Sequence, residues 1–257
     1  MPLRQPDPSI HLSPEPLYFE AAKSYSAITS GIALFPWTFT TGPIAAIVGI
    51  LITVTGSYRW FIHAGWSFTV IGISLLILIR ADTAARMWIP ISCVSGVGLG
   101  ILYSAMSFAI QAPSSNKDLP YAAALYSFFR NFGQMLGVAV GGTIFQNAIL
   151  SNLRSSTDPW LVQNAAAFSK DASALVEVIK GMGAGTAVAG ASKAEIATEL
   201  LRKAELVKAY VDSLRTVWVV MAVLAGVAGV LAVVCTREKT LERKLETEQG
   251  FLHEDDD

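Results

Sequence analysis

Charge is what this chain of 257 residues has least of: Asp, Glu, Lys and Arg together make up 15% of it, against about 25% in soluble domains. The formal net charge is −1, so the whole-chain balance gives no argument for nucleic acid or for an acidic substrate as a partner. Cysteine is equally sparse. Cys93 and Cys235 both sit in apolar runs, where a thiol behaves as a small hydrophobe, and neither a disulfide framework nor a thiolate metal site is expected. His11, His63 and His253 are scattered and form no ligand cluster, so no metal and no cofactor is expected. The most informative absence lies inside the apolar runs: no Asp or Glu stands well within any of them, and Glu20 and Asp82 are at edges. Proton movement through a membrane usually needs a titratable acid or histidine at depth. On its own the chain lacks an obvious group of that kind, since His63 falls near the start of its run, where an interfacial place is expected.

What is present in quantity is apolar surface, 53% of residues, gathered into runs long enough to cross a bilayer of about 30 Å. Five spans are expected: Ile28 to Thr55, Phe61 to Ile79, Trp88 to Ile110, Tyr121 to Ala148 and Leu214 to Val234. The fold class is therefore all-α, a multi-pass transmembrane helical bundle. Pro36 and Pro43 should bend the first span, because each removes a backbone donor and clashes with the preceding turn; the hydroxyls of Thr38, Thr40 and Thr41 stand ready for the freed carbonyls. In the third span Ser92, Gly96, Gly100 and Ser104 recur every four residues, a spacing that lets two backbones approach closely. The fourth span repeats the device with Gly133, Gly137 and Gly141, and the last carries Gly226 among small residues. All six glycines, Gly96, Gly100, Gly133, Gly137, Gly141 and Gly226, are candidate helix-packing positions.

Outside the spans, residues 1–16 read as disordered or as the product of a misjudged gene start, proline-rich and without the apolar core of a signal peptide. Residues 17–148 form the bundle, opening on a stub at LYFEAAKSYS that could be the last turn of a helix whose beginning is absent. Residues 149–213 form an extramembrane loop with an amphipathic helix, opened by the capping box Ser192 to Glu195 and running into the last span, 214–236. Residues 237–257 are a charged tail, expected to be a short solvated helix. The glycine-rich run from Gly181 to Lys193 lacks the lysine and the preceding strand of a phosphate loop, and Gly96, Gly98 and Gly100 lie inside a span rather than at a dinucleotide site. No soluble-enzyme constellation survives, and the chain is read as a non-enzyme.

Arg130 is the sharpest functional candidate. Winding its span as a helix puts Tyr126, Ser127, Arg130, Gly133, Gln134, Gly137 and Gly141 within about 60° of one direction, with Phe128, Phe132, Met135, Leu136 and Ala139 opposite. An arginine at mid-membrane costs roughly 2.5 to 3.5 kcal/mol on insertion scales, so it persists where it has a partner, a wet cavity or a route to the interface. Two readings stay open: Arg130 lines an aqueous path with Gln134, or it snorkels to the headgroups over about 13 Å.

At this span the chain resembles a known family. FFRNFGQMLGVAVGGTIFQN looks like the penultimate helix of fungal drug:proton antiporters of the major facilitator superfamily, in the branch with 14 spans. LYFEAAKSYSAITSGIALFPWTF is similar to that branch's entry into its second half-bundle, and Gly49, Leu51, Gly56 and Arg59 match a degenerate copy of its G-x-L loop signature, without the acidic and extra basic positions. The resemblance implies a partial second half of the major facilitator fold, which in complete form exports small amphipathic compounds in exchange for protons. It implies as partners a lipid bilayer, a small-molecule substrate, protons and a missing N-terminal half, and places Arg130, Gln134, Tyr126, Trp37 and Tyr103 on the substrate path. The loop charges favour a cytoplasmic C-terminus, in the plasma or vacuolar membrane. A truncated gene model, a half-transporter that pairs with another chain, and a non-transporting membrane protein that binds a partner through its extramembrane loop all remain open.

Overall fold

The computed structural model describes residues 18, 19, 21, 25–80, 83, 85–115, 117–170, 172–184 and 193–236. Segment 1–16, the capping residue Ser192 and the tail from Arg237 lie outside the described residues. Among the described residues the chain is helical throughout: α1 Ala27–Ala33, α2 Phe35–Thr55, α3 Arg59–Leu76, α4 Ala85–Gln111, α5 Leu119–Arg154, α6 Pro159–Phe168, α7 Ala172–Ala184 and α8 Lys193–Cys235.

Four helical stretches are long and apolar enough to cross a membrane: Ile28–Thr55, Arg86–Gln111, Leu119–Arg154 and Ile196–Cys235. The fifth expected span, α3, is not among them: it has only 18 residues, so Arg59 and His63 in its opening turns cannot be left outside an apolar stretch of spanning length. The first span is two helices rather than one bent helix. It breaks at Leu34, because Pro36 falls in the first turn of α2, where proline needs no donor of its own. The threonines next to the prolines turn inward onto the backbone, Thr41 Oγ1 donating to the Trp37 carbonyl at 2.9 Å and Thr38 Oγ1 to that of Leu34 at 3.3 Å. Gly56 ends α2 in the left-handed region at φ 68° and donates its N–H to Ile52 O at 2.9 Å. A side chain would be strained at that φ, and the turn it makes sends α3 back along α2.

α4 is the axis of this half of the molecule, with α2 on one side and α3 on the other. A Cβ on Gly96 would stand 2.9 Å from the Trp37 carbonyl oxygen and one on Gly100 2.7 Å from that of Thr41. Ser104 Oγ donates to Ala45 O at 2.6 Å on the same side. Toward α3 the approach is tighter still, since a Cβ on Gly98 would lie 2.5 Å from the Thr69 amide nitrogen and one on Gly72 2.6 Å from Ser95 Cα. Val48, Ile52, Tyr58, Ile62, Ile101 and Ala105 close this seam as one buried cluster.

The second and larger core sits where α5 ends and α8 passes it. Phe145, Ile149 and Leu153 of α5 bury against Leu206, Tyr210, Leu214 and Val217 of α8, together with Leu161 and Ala165 of α6 and Leu175 and Ile179 of α7. Asn152 Nδ2 donates to Ser213 Oγ at 2.9 Å across the α5–α8 contact. α8 runs unbroken through Leu214, so the amphipathic helix and the last span are one element.

Candidate functional site

The site is built where α4 and α5 meet at their lightest contact. Tyr103 is on α4, one turn beyond Gly100 and two beyond Gly96, the glycines that fasten α4 to α2, and its ring is left half open. Arg130 of α5 lays its guanidinium over that ring, Cζ standing 4.0 Å from the centroid. One helical turn earlier on α5, the Tyr126 hydroxyl donates to the Tyr103 carbonyl at 3.2 Å. A cation over an aromatic face is attracted by the ring quadrupole without being neutralised. Among the described residues no carboxylate pairs with Arg130.

Gln134 lies on the turn after Arg130, exposed. Three of the five expected path residues, Tyr103, Tyr126 and Arg130, are thus in contact, and Gln134 continues their stripe. Trp37 is elsewhere: it lines a small apolar recess with Tyr18, Phe19, Ser92 and Trp218, and none of the other four lines that recess. The Trp37 backbone sits against Gly96, which makes Trp37 part of the α2–α4 seam.

The packing glycines divide in the same way. Gly96 and Gly100 are pressed against α2, and Gly141 meets Met221 of α8, 3.3 Å from where its Cβ would be. Gly133, Gly137 and Gly226 have nothing within 4 Å of that position, so the close helix approach expected at these three does not occur among the described residues. On α5 the reason is plain: from Leu125 to Leu136 only Tyr126 is even half-buried. Phe128 and Phe132 stack on one another at 6.2 Å rather than on a neighbouring helix.

Gly65, Gly72 and Gly98 are close-approach positions that spacing by four does not pick out. Gly65 and Gly72 are seven apart on α3, which puts them on one face, and that interval is the signal that finds them. His63 is half-buried near the start of α3, edge-on to Trp60 at 6.4 Å, its Nε2 without a hydrogen-bond partner. No group of three or more His, Cys, Asp or Glu that could hold a metal ion occurs among the described residues.

Known proteins similar in sequence are fungal. An MFS transporter from Phoma sp. is 47% identical over 236 residues, 92% of this chain. Over nearly its whole length the chain is similar to a transporter of the major facilitator superfamily. An MFS-type efflux pump from Fusarium sp. is 28% identical over 93% of the chain, and the acurin A biosynthesis cluster MFS-type transporter of Aspergillus aculeatus is 30% identical over 92%. The chain spans between 36% and 40% of the length of these three relatives. It thus matches part of a major facilitator transporter and is an integral membrane protein, and the relatives are named as transporters rather than enzymes. No family model and no solved structure matches it.

Proposed function

We propose that the chain forms the C-terminal part of a proton-coupled exporter of small amphipathic compounds, with Arg130, Gln134, Tyr126 and Tyr103 on the substrate path and the rest of the path supplied by protein outside these 257 residues. The observation that carries this reading is the bare stripe of α5. A helix that carries an arginine over one tyrosine ring, an exposed glutamine and open glycines, in a chain spanning 36% of its Phoma relative, has the composition of a wall facing a cavity. The relatives' names, efflux pump and transporter, supply the direction.

In this reading residues 17–148 and 214–236 lie in the bilayer and residues 149–213 stand outside it. The C-terminus is cytoplasmic, and the membrane is the plasma or vacuolar one. Proton coupling belongs to the missing part, because no carboxylate stands deep in these spans. The test is to sequence the transcript upstream of Met1, express the longest in-frame product in a pump-deficient yeast and measure retention of a panel of amphipathic dyes. Arg130→Ala is expected to raise retention several-fold, and Arg130→Lys to raise it less. Unchanged retention in both variants would leave Arg130 a snorkelling role and remove it from the path. An inactive product that still captures a protein through residues 149–213 would replace the transport reading with a binding one.

A further inference from the structure

The largest reserve of unused hydrogen-bonding capacity on the α5 stripe is the edge of the Arg130 guanidinium. An arginine side chain carries five N–H donors in a planar fork. Among the described residues Arg130 stands over the Tyr103 ring, Cζ 4.0 Å from the centroid; it donates to no residue and meets no carboxylate. The ring supports the cation and leaves the charge in place. Beside it the wall is open, since Gly133 and Gly137 have nothing within 4 Å of an added Cβ. Gln134, on the next turn, presents a side-chain amide that likewise has no described partner.

A fixed cation with a free fork, an open floor and a neutral amide beside it matches an oxyanion in charge and shape. We infer that Arg130, held by Tyr103, is an acid-selecting subsite, and that the path takes amphipathic compounds bearing a carboxylate. The fork of Arg130 holds the carboxylate oxygens and the Gln134 amide a neighbouring acceptor, while the tyrosine rings take the apolar body. The inference rests on the path reading above. The same oxyanion chemistry is found on the phosphate of a lipid headgroup, and the experiment separates the two sources.

The full chain is placed in phosphatidylcholine nanodiscs, and binding of 2-naphthoate and 2-naphthamide is measured by ligand-observed NMR. The probes share one ring system and differ in the charge of the group that meets the fork. A charge-assisted pair favours the acid by roughly tenfold to a hundredfold. That preference is expected in the native chain, is lost in Arg130→Gln and is partly kept in Arg130→Lys, which retains the charge without the fork. Equal affinity for the two probes in the native chain, or a preference that survives Arg130→Gln, overturns the inference. So does loss of the preference when phosphatidylglycerol is added to the nanodiscs, which would give the fork to an anionic lipid headgroup. If Arg130→Gln weakens acid and amide alike, the acid selection falls and the path reading stands; if neither probe binds the native chain, both fall.

Discussion

α4 and α5 use the same sequence device and meet opposite fates. Each is a long apolar helix with small residues every four positions, and on paper either could serve as a packing seam. α4 is gripped from both sides, its glycines so close to α2 and α3 that a Cβ would collide with backbone. α5 divides along its length: its far end, from Phe145 to Leu153, is buried against α8, and its first half is mostly exposed among the described residues and meets α4 at Tyr103. Small residues at this spacing permit close approach, but it is the neighbour that turns permission into contact. Where no neighbour comes, the same glycines leave room beside a charge.

Filling the seam should hurt most. Gly98→Leu forces a side chain into the α3 backbone, where even a Cβ would stand 2.5 Å from the Thr69 nitrogen. A cost of about 3 kcal/mol or more is expected, visible as loss of the monodisperse peak in detergent chromatography. Next comes the contrast within α5. Ile149→Ala removes a fully buried side chain and should cost about 3 kcal/mol in equilibrium unfolding, while Leu136→Ala on the bare stretch stays within about 0.5 kcal/mol; equal losses would break the comparison.

The third test uses pH at the packed end. The Asp158 carboxylate accepts the Trp160 N–H at 2.8 Å and an Arg202 Nε–H at 2.5 Å, and that arginine bond, first of all, holds its pKa below 3.8. Since the folded value is the depressed one, the stabilisation is present above about pH 5 and is lost as pH falls through the lowered value. Asp158→Ala should cost about 1 kcal/mol at neutral pH and flatten the acid limb of the stability profile. The smallest effect belongs to the open stripe: Gly133→Ala and Gly137→Ala meet no neighbour and should gain up to about 1 kcal/mol from helix propensity. A loss at both would mean that another surface covers the stripe in the membrane.

The helical class and four of the five expected spans were legible because uninterrupted apolar runs admit little else in lipid. The α2–α4 seam was legible too, from Ser92, Gly96, Gly100 and Ser104 on one face. Gly98 was hidden by lying on the other face of the same helix, and the break at Leu34 by two prolines that each offered a bend. α6 and α7 fall in a stretch expected to be loop, although Asp158 followed by Pro159 is a helix-start signal and Asp158 caps α6. The stacking of Arg130 on Tyr103 joins residues of two separate helices, and no periodicity along one helix reports on a contact between two. The open stripe of α5 could not be read at all, since its openness depends on what these residues do not contain.

One feature of α8 reaches further than its packing. At 43 residues and about 1.5 Å each it is a rod roughly 65 Å long, about twice the hydrocarbon thickness. It is continuous from Leu200 and Leu201, both exposed, to Gly229, which faces the Trp66 side chain. One continuous helix therefore joins the core around α6 and α7 to the contact with Trp66 of α3, with no loop between the two to absorb a displacement of either.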